Sequence, residues 1–213
     1  MYVATSWDDG LTSDRRLLTI LERWGVRATF ALAPQRHSLT VQPNDHRFPT
    51  QYGQLLPQSE LIIYRDQDIC SHTAHHVDAS LCKGNQLRME LQDSKAWLED
   101  QFQREVPGII WPYGVSTHQA IATAQACGYQ YGRTTPAPER RWEGQKWDIV
   151  PFSWKTSLAE LLEYPHRCVA LSGHTYEFRT EADWDYVDRF YREASQTSRC
   201  QLVTLSELAE ILS

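Results

Sequence analysis

Short runs of β-favouring residues recur along this chain with helix-patterned segments between them. That alternation constrains the fold more than any other feature, because repeated strand–helix–strand units pack as a parallel sheet. The first run is YVATSW (2 to 7). Thr12 or Ser13 then caps a helix that carries Leu17, Leu18, Leu21 and Trp24 on one face and stops at Gly25. RATFALA (27 to 33) is the second strand, closed by Pro34. DQDIC (66 to 70), GIIW (108 to 111), YGRTT (131 to 135), CVALSG (168 to 173) and CQLVTL (200 to 205) supply five more. Helices are predicted through Leu87, Leu91, Leu98 and Phe102, over THQAIATAQACG (117 to 128), and through Trp184, Val187 and Tyr191. About seven strands alternating with helices fit either a closed barrel or an open doubly wound sheet. One domain over residues 1–213 is the expectation for this length.

Both layouts place functional groups just beyond the carboxyl ends of strands. Those positions hold Asp8, Asp9 and Gly10; His72, His75 and His76; Pro112, Tyr113 and Gly114; and His174. Between Pro34 and Pro57 the sequence turns polar and includes Pro43 and Pro49, a stretch long enough to read as a lid or rim loop.

A formal net charge of -6 argues against nucleic acid or an anionic membrane as the main partner, since both require a basic surface. No apolar run approaches the ~20 residues that span a bilayer. The opening MYVATSWDDG lacks the features of a signal peptide, so a cytoplasmic protein is expected. The five cysteines are odd in number and contain no CxxC, which predicts free thiols in a reducing compartment. Oligomeric state is not legible.

Imidazoles and carboxylates are the ligands that a borderline divalent ion prefers. His72 and His76 are four residues apart, so a helical turn would project both from one face, with His75 off that face. Asp8 or Asp9 could complete a two-histidine, one-carboxylate set. The other aspartate, held close by, could then serve as a base.

SWDDG (6 to 10), HTAHH (72 to 76), WPYG (111 to 114) and LSGH (171 to 174), in that order, resemble the polysaccharide deacetylases of carbohydrate esterase family 4, which share the NodB-like domain. The likeness extends through RATFAL (27 to 32) and VTLSELAEIL (203 to 212). It implies an α/β fold, a distorted (β/α) barrel of about seven parallel strands, and hydrolysis of an N-acetyl or similar amide on an amino sugar. By the same resemblance, Asp9, His72 and His76 are metal ligands for one divalent ion, with zinc first and cobalt, nickel, manganese or iron as alternatives. Asp8 is the general base, His174 the general acid, and the Tyr113 backbone N–H an oxyanion donor. Asp148, in WDIVPFSW, is the candidate carboxylate for raising the His174 pKa, with Glu177 and Asp183 as rivals.

The sequence departs from the family pattern at Ile110, where many members carry an arginine that tethers the catalytic aspartate. Asp68 stands where the family usually has glutamate. Trp111, Tyr113, Tyr176 and Glu177 are the expected substrate contacts. Among Trp7, Trp111, Tyr113, Trp142, Trp147, Trp154 and Tyr176, two or three should line the pocket and the rest should be core. The same fold could also act on a formamide or ureide, or persist as a silent carbohydrate-binding protein.

Overall fold

The structure is a computed structural model that describes residues 1–38, 53–135, 142 and 144–212. In chain order its strands are β1 (Tyr2–Asp8), β2 (Thr29–Leu32), β3 (Asp68–Ser71), β4 (Gly108–Ile110), β5 (Tyr131–Arg133), β6 (Phe152–Ser153), β7 (Cys168–Gly173) and β8 (Gln201–Val203). Its helices are α1 (Asp14–Arg23), α2 (Pro34–Ser38), α3 (Gln86–Phe102), α4 (His118–Ala126), α5 (Leu158–Leu162), α6 (Glu181–Gln196) and α7 (Leu205–Ile211). All seven strands read from the sequence are present. The short elements β6, α2, α5 and α7 were not anticipated, being too brief to show a period. Pro34 does not simply close β2: it is the first residue of α2, where its missing N–H costs nothing. Most of the proposed lid, with Pro43 and Pro49, lies outside the described residues.

The strands are ordered β5-β4-β3-β2-β1-β7-β6, with β8 also paired to β1, and every ladder is parallel. This curled sheet is the expected distorted barrel. β1 pairs with β7 from Tyr2 to Trp7, but with β2 only at Ser6–Asp8, and β8 takes the vacated edge at Tyr2–Ala4. Ile149 bridges to Arg133 of β5, and Phe152–Ser153 pairs with β7, so one stretch of chain touches both ends of the strand order.

Parallel strands covered on both faces are apolar throughout, and β7 is buried at all six positions. Alternation still sorts the two faces. Ala4, Ala31, Cys70, Ile110, Tyr131 and Ala170 pack in one cluster with Leu205 and Leu208 of α7. On the other face Val3, Phe30, Ile69 and Val169 meet Leu17, Ile20 and Leu21 of α1 and Val187, Phe190 and Tyr191 of α6. Each such side chain contributes about 1.5–3 kcal/mol when fully buried. Continued at period two, the first face delivers Asp8 after Ala4 and Ser6, His72 after Cys70, Arg133 after Tyr131 and His174 after Ala170 and Ser172. The barrel therefore aims these four side chains at one place. No described helix is long and apolar enough to cross a membrane.

Candidate metal centre and active site

At the end of β1 the chain turns sharply. Asp9 has φ +81° and Gly10 φ +67°, and a Cβ on Gly10 would come within 2.7 Å of His37 Cε1. Glycine is required there, and the left-handed aspartate costs about 1–3 kcal/mol that its surroundings must offset. Part of that offset is the Asp9 N–H, which donates to Ala31 O at 3.1 Å.

The histidine segment is not the helical turn expected from its spacing. Thr73 (φ +59°) and His76 (φ +61°) are left-handed, and Thr73 Oγ1 accepts from Val77 N at 3.0 Å. This turn still brings the two rings together, with centroids 4.6 Å apart. His75 points elsewhere, to Glu90 Oε1 at 2.9 Å.

His76 Nε2 lies 3.4 Å and His72 Nε2 4.0 Å from Asp9 Oδ1. Ligands at ~2.1 Å from a tetrahedral ion stand roughly 3.4 Å apart, so the three donors fit one divalent cation with little adjustment. His72 Nδ1 donates to Ile110 O at 2.6 Å, which leaves the Nε2 lone pair available to an ion. Burial lowers both imidazole pKa values, that of His76 to about 3 with help from His72, which favours the neutral rings that coordination needs. Burial alone would raise the Asp9 pKa, but His76, Arg36, His174 and His72 outweigh it and the carboxylate is ionised.

Asp8 is 5% exposed, with its Oδ1 paired. Arg133, itself 0% exposed, donates to Asp8 Oδ1 through Nη2 and to Thr134 O through Nη1 at 2.8 Å. Burial works against ionisation here too, yet Arg133, His72 and His174 bring the Asp8 pKa below its ordinary value. β4 and β5 are in register with Ile110 opposite Arg133. The guanidinium missing at Ile110 is thus supplied from the next strand.

His174 Nε2 lies 3.9 Å from Asp8 Oδ2 and 3.9 Å from Asp9 Oδ2. Its Nδ1 donates to Glu177 Oε1 at 2.9 Å, and Trp154 Nε1 holds Oε2 of the same carboxylate. Burial depresses the His174 pKa, but Glu177, Asp8 and Asp9 raise it overall. The carboxylate on His174 is therefore Glu177, which faces the ring rather than the cavity. Asp148 does not line the cavity, and Asp183 caps α6 by accepting from Thr180 N at 2.8 Å. Asp68 starts β3 at the far end of the barrel, bonded to Thr29 and Ser206.

A cavity of about 310 Å³ opens onto this centre. Three of the seven singled-out aromatics line it: Trp111, Tyr113 and Tyr176. Tyr176 stacks on His174 with centroids 4.6 Å apart. Tyr113, 64% exposed and at φ +58°, sets its ring edge against His76 at 4.9 Å. Trp7, Trp142 and Trp154 are core, and Trp147 packs partly buried beside Trp111.

Three further residues escaped the sequence reading. Arg36 of α2 donates to Asp9 Oδ1 at 2.7 Å and lines the cavity, and no spacing announces it. Arg133 carried a signal, a charge inside an otherwise buried strand, which must be paired. Asp14, 0% exposed, accepts from Leu11 N (3.0 Å), Tyr64 Oη (2.6 Å) and Thr175 Oγ1, joining the loop after Asp9 to the residue after His174. Ser13 at the α1 N-cap bonds Thr175 Oγ1 at 2.7 Å rather than its own helix.

A parallel barrel with paired aspartates, a histidine pair and an opposing histidine at its strand ends defines a class that comparison with known proteins identifies. A family profile for polysaccharide deacetylase matches residues 1–132, and the chain belongs to that family. YxkH of Bacillus subtilis (strain 168), which carries the same family name, is 25% identical over 138 residues, 62% of this chain and 44% of that relative. The chain thus spans less than half of that protein's length. A family 4 carbohydrate esterase from Bacillus anthracis superposes with a TM-score of 0.64 at 15% identity, covering 98% of this chain and 82% of that one. An activity-restored mutant of a pseudoenzyme from the same organism and carbohydrate esterase family gives 0.65 at 16% identity, covering 98% and 67%. These structures share the fold.

Proposed function

We propose that this protein is a metal-dependent hydrolase that removes an N-acetyl or similar acyl group from an amino sugar. The observation that carries this reading is the convergence of Asp9, His72 and His76 on one ion-sized gap, with Asp8 and His174 beside it. A divalent ion held there would act as a Lewis acid on the acyl carbonyl and acidify a water. Asp8, kept ionised by Arg133, takes the proton from the attacking water. The Tyr113 backbone N–H meets charge developing on the carbonyl oxygen. His174, whose pKa is raised by Glu177, Asp8 and Asp9 against burial, delivers a proton to the leaving nitrogen. Tyr113 and Tyr176 offer aromatic surface to the apolar face of a sugar ring, while Trp111, 1% exposed, only backs the cavity wall.

The test incubates zinc- or cobalt-loaded protein with N-acetyl sugars, chitooligomers, formamides and ureides, measuring acetate, formate and ammonia. Acetate release abolished by Asp8→Asn supports the reading. Formate or ammonia alone would move the substrate to another C–N bond. No product from any substrate would leave a silent member of the family.

A further inference from the structure

Arg36 is placed by the same backbone that places the metal ligands. The amides of Gln35 and Arg36, at the start of α2, donate to Ala74 O at 2.9 and 3.3 Å, and Ala74 lies between His72 and His76. The arginine and the histidine pair are therefore bolted together. Arg36 Nη1 then reaches Asp9 Oδ1 at 2.7 Å, with the two side chains only 13% and 7% exposed. That oxygen is also the one facing His76 Nε2 at 3.4 Å and His72 Nε2 at 4.0 Å. A fixed positive charge and the ion-sized gap share one carboxylate oxygen.

We infer that Arg36 is a positioning residue that sets how tightly this centre holds its ion. This rests on the metal reading above. With no ion bound, the guanidinium holds the buried Asp9 carboxylate in place. An ion bound there would share that oxygen with the guanidinium where little water screens the two like charges, and their repulsion would weaken binding. The residue trades affinity for a ligand set that stays ordered when empty.

Titration of the metal-free full chain with Co²⁺, followed by visible absorption and calorimetry, tests this for wild type, Arg36→Gln, Arg36→Lys and Asp9→Asn. Removing the charge in Arg36→Gln should tighten Co²⁺ binding by about tenfold or more, the scale expected when a neighbouring like charge is removed from a partly buried site. Arg36→Lys should stay near wild type. The rise in Tm on adding a fixed concentration of Co²⁺ should be larger in Arg36→Gln than in wild type, because ligand stabilisation grows as Kd falls. Equal or weaker affinity in Arg36→Gln overturns the inference. If wild type binds no Co²⁺, or Asp9→Asn binds it equally well, the metal reading itself has failed. Circular dichroism of each metal-free variant separates either result from misfolding.

Discussion

Arg133 and Asp8 form a buried ion pair between residues 125 positions apart, with Arg133 reaching across from the strand beside Ile110. In-register neighbours on a parallel ladder point to the same face, so a guanidinium from either position can arrive at the same carboxylate.

That equivalence can be tested by exchange. Arg133→Ile leaves a buried carboxylate without its cation and should cost about 3–5 kcal/mol in urea unfolding, with activity falling ~10²-fold or more. The double variant Ile110→Arg/Arg133→Ile restores a guanidinium one strand away and should recover part of both losses. Recovery of neither would show that the pair depends on β5 itself.

Glu177 raises the His174 pKa against the opposing effect of burial. Glu177→Gln should therefore move the alkaline limb of the kcat profile to lower pH, because the imidazole loses its proton sooner. At neutral pH, kcat should drop by roughly 10- to 100-fold, within the range of lost acid catalysis. A unchanged limb with lower kcat would assign Glu177 a purely structural role.

Asp14 governs a pH dependence of stability. Burial lifts its pKa to about 6, although Thr175, Tyr64 and the Leu11 amide oppose the shift. The unfolded chain ionises this carboxyl near pH ~4, so between about pH 4 and 6 the folded state holds the extra proton. Its contribution is complete below that window and is lost as pH rises through 6. Relative to Asp14→Asn, wild type should lose roughly 1–3 kcal/mol from pH 4 to 7. Denaturant unfolding of both proteins at each pH measures the difference, and parallel curves would refute it.

Asp9, His72 and His76 are expected to link metal to folding. Zinc at ~100-fold over its Kd should add about 2.7 kcal/mol to stability, and chelator should remove it. His72→Ala and His76→Ala should each abolish the shift, whereas His75→Ala, which loses only the contact to Glu90, should retain it. A zinc shift that survives His72→Ala would place the ion elsewhere.

From the sequence alone came the βα alternation, the strands, and the carboxylates and imidazoles at their ends. These follow from local periodicity, since a side chain's face and its distance from a strand end are read along a single segment. Only tertiary structure decided the partners. Arg133 rather than residue 110 supports Asp8 because strand register, which no spacing in the chain encodes, places it there. Glu177 rather than Asp148 holds His174 because a tight turn after β7 folds it back onto the ring. Arg36 meets Asp9, and the histidines converge through a left-handed turn instead of a helix, because contacts between neighbouring loops outweigh the conformations those segments would adopt unaided.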